Sequence, residues 1–131
     1  MAQSKNHLGD LQLAIMRVLW ERGEASASEV HKSLLAERGL APTTIATMLR
    51  KMEDKGIVRH RQEGRQFVYS SCIDEMEVNR SMVGQLVERL FAGDPKALVS
   101  HLLNEGELDI EEIEALGQRI EEAKQEVRDD R

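Results

Sequence analysis

Apolar residues in the stretch Pro42 to Gly56, PTTIATMLRKMEDKG, recur at spacings of three and four: Ile45, Met48, Leu49 and Met52. That period predicts a helix with one face in a core. Pro42 supplies a fixed φ for the first turn, and Gly56 a left-handed stop one residue past the last periodic position. The opposite face carries Thr43, Thr44, Thr47, Arg50 and Lys51. Short hydroxyls can approach a base edge or a phosphate, and cations follow one turn later. Taken alone, the segment is explained by an ordinary amphipathic helix.

The segments on either side change that reading. A first helix is expected from Gly9 and Asp10 to Arg22, ended by Gly23, after a polar segment of residues 1–7 expected to fray. Leu11, Ile15, Val18 and Leu19 form its stripe; Leu13, Met16 and Trp20 widen it, which marks a central packing helix. Ser26 followed three residues later by Glu29 is a capping box and opens a second helix bearing Val30, Leu34 and Leu35, closed at Gly39. Only Leu40 to Pro42 then separate two short helices, as a helix-turn-helix requires. After Gly56 the period falls to two. IVRHRQEGRQFVYSS reads as a β-hairpin with its turn at Glu63 and Gly64, and its wing carries Arg59, Arg61 and Arg65. A helix-turn-helix followed by a hairpin is a winged helix, whose wing arginines can reach phosphates or a minor groove. A solvated hairpin edge guarded by charge would also account for the arginines on their own.

From Asp74 the chain is helical again. Met76, Met82, Val83, Leu86, Val87 and Leu90 define a stripe ending near Phe91 and Gly93. Asp94 and Pro95 start a short helix with Leu98, Val99, Leu102 and Leu103, and Asp109 caps a last one with Ile113, Leu116, Ile120 and Val127. Three amphipathic helices in so short a segment cannot readily bury every apolar face among themselves. Burial against a second copy is the simplest solution, with Leu86, Leu90, Leu98, Leu102, Leu116 and Ile120 holding a homodimer; packing back on the winged helix is the alternative. The expected fold is therefore mostly α with a small β-wing, in two parts: a winged helix-turn-helix over 1–72 and a three-helix dimerisation region over 73–131.

Charge supports a local nucleic-acid surface. The chain has a formal net charge of −6, but residues 1–70 carry 11 Lys and Arg against 8 Asp and Glu, and residues 38–65 carry 7 against 3. A groove-facing module on an acidic body has this distribution. The lone Cys72 excludes an internal disulfide and a multi-cysteine metal site. His7, His31, His60 and His101 lack ligand spacing and read as structural or solvent-exposed, so neither metal nor other cofactor is expected. No nucleophile motif, phosphate loop or HExxH is present, so no enzyme is expected. The apolar runs are short and interrupted by charge, unlike a signal peptide or membrane span, which leads us to expect a cytoplasmic protein without membrane insertion. Ser26 and Ser28 begin a helix whose first amides can hold a phosphate, although simple capping explains them equally well. A winged helix that has lost DNA and binds a protein partner is the rival reading; it would lack basic charge at wing and helix, and that charge is present.

Three stretches, LGDLQLAIMRVLW, SASEVHKSLL and APTTIATMLRKMEDKGIVRHRQEGRQFVYS, together resemble the penicillinase-repressor family, which includes the methicillin-resistance and copper-responsive repressors. Its marks are Trp20 at the first helix end, Thr44-x-x-Thr47, Lys55-Gly56 and the Gly64-Arg65-x-Phe67-x-Tyr69 wing; DIEEIEAL extends the resemblance nearly to the end. The resemblance implies a dimeric repressor on a palindromic double-stranded DNA operator. Thr43, Thr44 and Thr47 would face bases or nearby phosphates, Arg50 and Lys51 the backbone or a guanine, and Arg61 and Arg65 would anchor the wing. In the antibiotic-responsive branch, a membrane sensor metalloprotease causes the repressor to be cut at an Asn-Phe bond, and His101 and Leu102 stand at the matching positions here. The copper-responsive branch carries paired C-terminal cysteines that this chain lacks, so copper sensing of that kind is not expected. Thr43 and Ala46 stand where the best-known antibiotic-responsive members carry basic side chains, which implies a different operator or weaker contacts.

Overall fold

The computed structural model describes residues 6–129, with side chains through residue 126. Residues 1–5 of the polar N-terminal segment and the Val127 side chain lie outside the described residues. Among the described residues the order is α1 (Asp10–Arg22), β1 (Glu24–Ser26), α2 (Ala27–Arg38), α3 (Pro42–Asp54), β2 (Val58–Glu63), β3 (Gln66–Ser71), α4 (Glu75–Phe91), α5 (Pro95–Asn104) and α6 (Ile110–Asp129). The fold is mostly α with a small sheet, as the periodicity predicts. None of the described helices is long and apolar enough to cross a membrane.

The chain forms two compact units, one reaching Gly84 and the other beginning at Gln85. The first is built on α1, whose Ile15, Met16, Val18 and Leu19 are buried. Val30 and Leu34 of α2, Ile45, Leu49 and Met52 of α3, and Val58 and Tyr69 of the sheet close the same core. Val78 of α4 is buried there too, which carries the compact unit beyond residue 72. Burial of each large aliphatic side chain contributes about 1.5–3 kcal/mol. The three buried on α3 therefore outweigh any single cap, worth about 1 kcal/mol. Packing fixes this helix, and its ends only define its length.

Those ends follow the sequence. Pro42 sits in the first turn of α3. Beyond its last turn the Gly56 N–H donates to the Glu53 carbonyl and the Ile57 N–H to the Met52 carbonyl, both at 2.9 Å. Gly56 has φ +78°, the left-handed conformation this closure requires. In α2 the Ser26 hydroxyl accepts from the Glu29 N–H at 3.2 Å, and the Ser26 N–H donates to Glu29 Oε1 at 3.0 Å. The α2–α3 link is held by His31, whose Nε2–H donates to the Leu40 carbonyl at 2.8 Å.

The sheet is antiparallel in the order β1-β3-β2. Its first strand, Glu24–Ser26, lies in a stretch where the sequence pattern predicts only the approach to α2. β1 pairs with β3 through Glu24–Ser70, Ala25–Tyr69 and Ser26–Val68. The hairpin turn also lies one residue later than expected: Glu63 pairs with Gln66, leaving Gly64 and Arg65 as the loop. Gly64 has φ +63° and Arg65 stays at negative φ, as in a two-residue type II′ loop, which needs glycine only at its first position. Trp20 fastens the far end of β3, its Nε1–H donating to Ser71 Oγ and the Ile73 carbonyl, each at 3.1 Å.

In the second unit Asp94 Oδ1 accepts from the Lys96 N–H at 3.0 Å and caps α5, while Asp109 Oδ1 accepts from the Glu112 N–H at 2.8 Å and starts α6.

Candidate nucleic-acid interface

On α3 the inward positions Ile45, Leu49 and Met52 leave Thr43, Thr44, Thr47, Arg50 and Lys51 exposed on one outer face. Among the described residues neither Arg50 nor Lys51 has a carboxylate within ion-pair distance. Both charges are available to an external anion. Beside this face, Ser26, Ala27, Ser28, Ala46, Arg50, Gln66, Phe67 and Tyr69 line a groove of about 320 Å³. The start of α2, the outer face of α3 and the strand β3 thus meet at one place.

The two serines separate. Ser26 is only 2% exposed, and its hydroxyl is engaged in the capping box. Ser28 is exposed at the first turn of α2 and faces the groove. The Ser26 N–H, then its hydroxyl, hold the Glu29 carboxyl below the usual range, with Arg22 adding a smaller effect. Ser26 is a cap; Ser28 is the surface residue of the pair.

The wing arginines separate as well, because side chains on β2 alternate between the sheet's faces. His60 reaches α3, where its Nδ1 lies 2.6 Å from Glu53 Oε2. Arg61 is therefore on the face turned away from α3. There it bonds Glu24 at 2.6 and 3.2 Å and meets Glu63 at 3.0 Å. The hydrogen bond from Arg61, more than its charge, holds the Glu24 carboxyl below its ordinary value, and the same bond raises the Arg61 guanidinium. Arg59 donates to Ser70 Oγ at 3.4 Å on that same face. Arg65, in the turn, is exposed, and among the described residues no carboxylate lies within ion-pair distance of it. The structure brings Ser28 together with Arg50, but it does not bring Arg61 to them.

Sequence reasoning passed over Glu24 and Glu53, and it read His60 as structural or solvent-exposed and Phe67 as a mark of the wing without placing either in the site. The alternation of β2 was the available signal for His60, since it puts that residue on the helix side whenever Val58 is in the core. Tyr69, opposite His60, has its hydroxyl pushed up by burial and then by the Glu53 charge, against a smaller opposite effect of Arg50.

In the second unit Leu86, Leu90, Leu116 and Ile120 are exposed, Leu90 to 70%, while Leu98 and Leu102 are half-buried. His101 is exposed, its ring 5.9 Å from that of Phe91. The His101–Leu102 bond lies inside α5. Among the described residues no three His, Cys, Asp or Glu side chains are grouped to hold a metal ion.

A helix-turn-helix and a three-stranded sheet whose β2–β3 hairpin forms a wing beside the second of its helices define a winged helix. Within that class the chain belongs to the penicillinase repressor family, whose sequence model matches residues 8–122. It is 34% identical over 117 residues to the penicillinase repressor of Bacillus licheniformis, covering 89% of this chain and 91% of that one. It is 24% identical over 102 residues to the methicillin resistance regulatory protein MecI of Mammaliicoccus sciuri, covering 78% and 83%. Its structure is similar to the solution structure of the DNA-binding domain of the repressor BlaI, with a TM-score of 0.50 and 36% identity over 56% of this chain and 90% of that domain.

Proposed function

We propose that this protein is a cytoplasmic, sequence-specific transcriptional repressor that binds a palindromic double-stranded DNA operator as a homodimer. The observation that carries this reading is the outer face of α3, where three threonines stand with two cations that, among the described residues, have no carboxylate within ion-pair distance. Thr43, Thr44 and Thr47 read base edges or adjacent phosphates, while Arg50 and Lys51 hold the backbone or a guanine. Ser28, with the first amides of α2, takes a phosphate. Arg65 anchors the wing, and Arg61 contributes little because Glu24 and Glu63 offset its charge.

The DNA-binding part is the winged helix over residues 1–72, and the helices after it, the first of which packs on that core through Val78, supply the dimer. Leu86, Leu90, Leu98, Leu102, Leu116 and Ile120 give those helices apolar surface for a second copy, and two copies match two half-sites. Release through a membrane sensor metalloprotease would need α5 to open locally, since the His101–Leu102 bond lies within a helix. Footprinting on the protein's own promoter tests the function: a protected palindrome supports it. Absence of protection, together with retained protein partners, would favour the interaction-module reading.

A further inference from the structure

His60 lies at the junction of wing and recognition helix. Its Nδ1 is 2.7 Å from Oε1 and 2.6 Å from Oε2 of Glu53. A carboxylate only accepts, so Nδ1 carries a proton aimed at Glu53. The ring is further fixed by Phe67, whose centroid is 4.2 Å away, and by Tyr69 at 5.7 Å. Phe67 and Tyr69 also line the groove that holds Arg50. Among the described residues Nε2 has no partner, and the imidazole is partly exposed, at 33%. Among the described residues the charged and titratable groups that meet this ring are Glu53 on α3 and Tyr69 on β3, and the Tyr69 hydroxyl in turn feels Glu53 and Arg50 of α3. Arg59 and Arg61, its neighbours on β2, occupy the other face of the sheet.

We propose that His60 is a proton-dependent contact to the DNA backbone, and that Glu53 is its positioning residue. This rests on the DNA-binding reading above. When Nε2 takes up a proton, the ring becomes an imidazolium whose two N–H groups point different ways, Nδ1–H to Glu53 and Nε2–H outward. The outward N–H donates to a phosphate oxygen as a charge-assisted bond. Protonation also cancels the Glu53 charge, which otherwise repels phosphate at the edge of the recognition helix. Both effects favour the protonated ring in the complex, so binding takes up a proton at His60. Affinity falls as pH rises through the imidazole range.

The test is fluorescence anisotropy of the full chain with duplex DNA of random sequence at fixed low ionic strength. Between about pH 6 and about pH 8 the wild type should lose affinity, by at most roughly a hundredfold per subunit, the limit of about tenfold per pH unit for one linked proton. His60→Gln should bind weakly and almost independently of pH; His60→Lys, a fixed cation, should bind well at both ends. Glu53→Gln should flatten the profile in part. Equal loss at both pH values in His60→Gln, with the slope retained, would show a merely structural role and overturn the proposal while leaving DNA binding intact. No duplex binding by the wild type at any pH would remove the DNA reading itself, and this proposal with it. The His60 ring signal, followed by NMR in the unaltered chain, gives a check independent of any variant. Its titration should move to higher pH on adding duplex, and an unmoved titration overturns the proposal.

Discussion

Arg61 and Arg65 sit four residues apart on one hairpin, yet the proposed interface gives them opposite weights in DNA binding, because Arg61 is paired with carboxylates. Each phosphate neutralised by a cation contributes about 0.9 to the fall of log affinity with log salt. Arg65→Ala removes one such contact per subunit. Over a fourfold rise in salt, from about 50 to about 200 mM, the variant should then lose about 3.5-fold less affinity per subunit than the wild type. Arg61→Ala should leave the slope almost unchanged, because Glu24 at 2.6 Å and Glu63 at 3.0 Å already offset its charge. Its affinity should fall modestly at all salt concentrations, since the two carboxylates are left uncompensated. Anisotropy titrations on one labelled duplex at several salt concentrations measure both slopes. A slope for Arg65→Ala equal to that of the wild type removes the wing tip from the interface. A reduced slope for Arg61→Ala shows that Arg61 leaves its carboxylates for DNA, which refutes the pairing argument.

Other consequences follow from caps, charges and exposed faces. Ser26→Ala should cost about 1 kcal/mol in urea unfolding, whereas Ser28→Ala should leave stability alone and weaken DNA binding; the reverse pattern would interchange their roles. Glu29 has a folded-state pKa below its ordinary 4.5, so its contribution is complete above that value and is lost as pH falls through the folded one. Glu29→Gln should therefore flatten the acid limb of a stability–pH curve, and an unchanged limb would assign acid sensitivity to other carboxylates. Replacing Thr47 should change preference among operators, and equal loss on operator and random DNA would take it out of the base-reading set. Leu90→Asp with Ile120→Asp should sediment as a monomer at micromolar protein where the wild type is a dimer. A monomeric wild type would end the dimer proposal.

Much of this was legible because it is local. Ser26 and Glu29 make a reciprocal cap within one turn, Gly56 closes α3 by its own φ, and the period of Ile45, Leu49 and Met52 gives both the helix and its outer face. What escaped depends on partners distant in the chain. Glu24–Ser26 is too short to show a period, and it becomes a strand only because β3 offers an unpaired edge. The turn was misplaced by one residue because Gly64 can serve either position of a two-residue loop, and pairing of Glu63 with Gln66 decides it. The arginine count of the wing was visible, but not which arginine is matched by carboxylates.

That difference between arginines follows from the alternation of a single strand. Val58 must face the core, so His60 faces α3 and Arg59 and Arg61 face away. A basic wing therefore presents less free charge to the recognition-helix side than its sequence suggests. In the proposed interface the cations on the outer face of α3 and at the turn are Arg50, Lys51 and Arg65, with His60 proposed to join them when protonated. Such a set is small, and Thr43 and Ala46 on the outer side of α3 add no charge to it. Placing cations there offers a direct test: Thr43→Lys with Ala46→Arg should tighten binding to random duplex and steepen the salt dependence by about 0.9 for each new phosphate contact. Unchanged slopes in that variant would mean that the outer face of α3 does not meet the DNA backbone at these positions, and the recognition-helix assignment would then have to rest on Thr44, Thr47 and Arg50 alone.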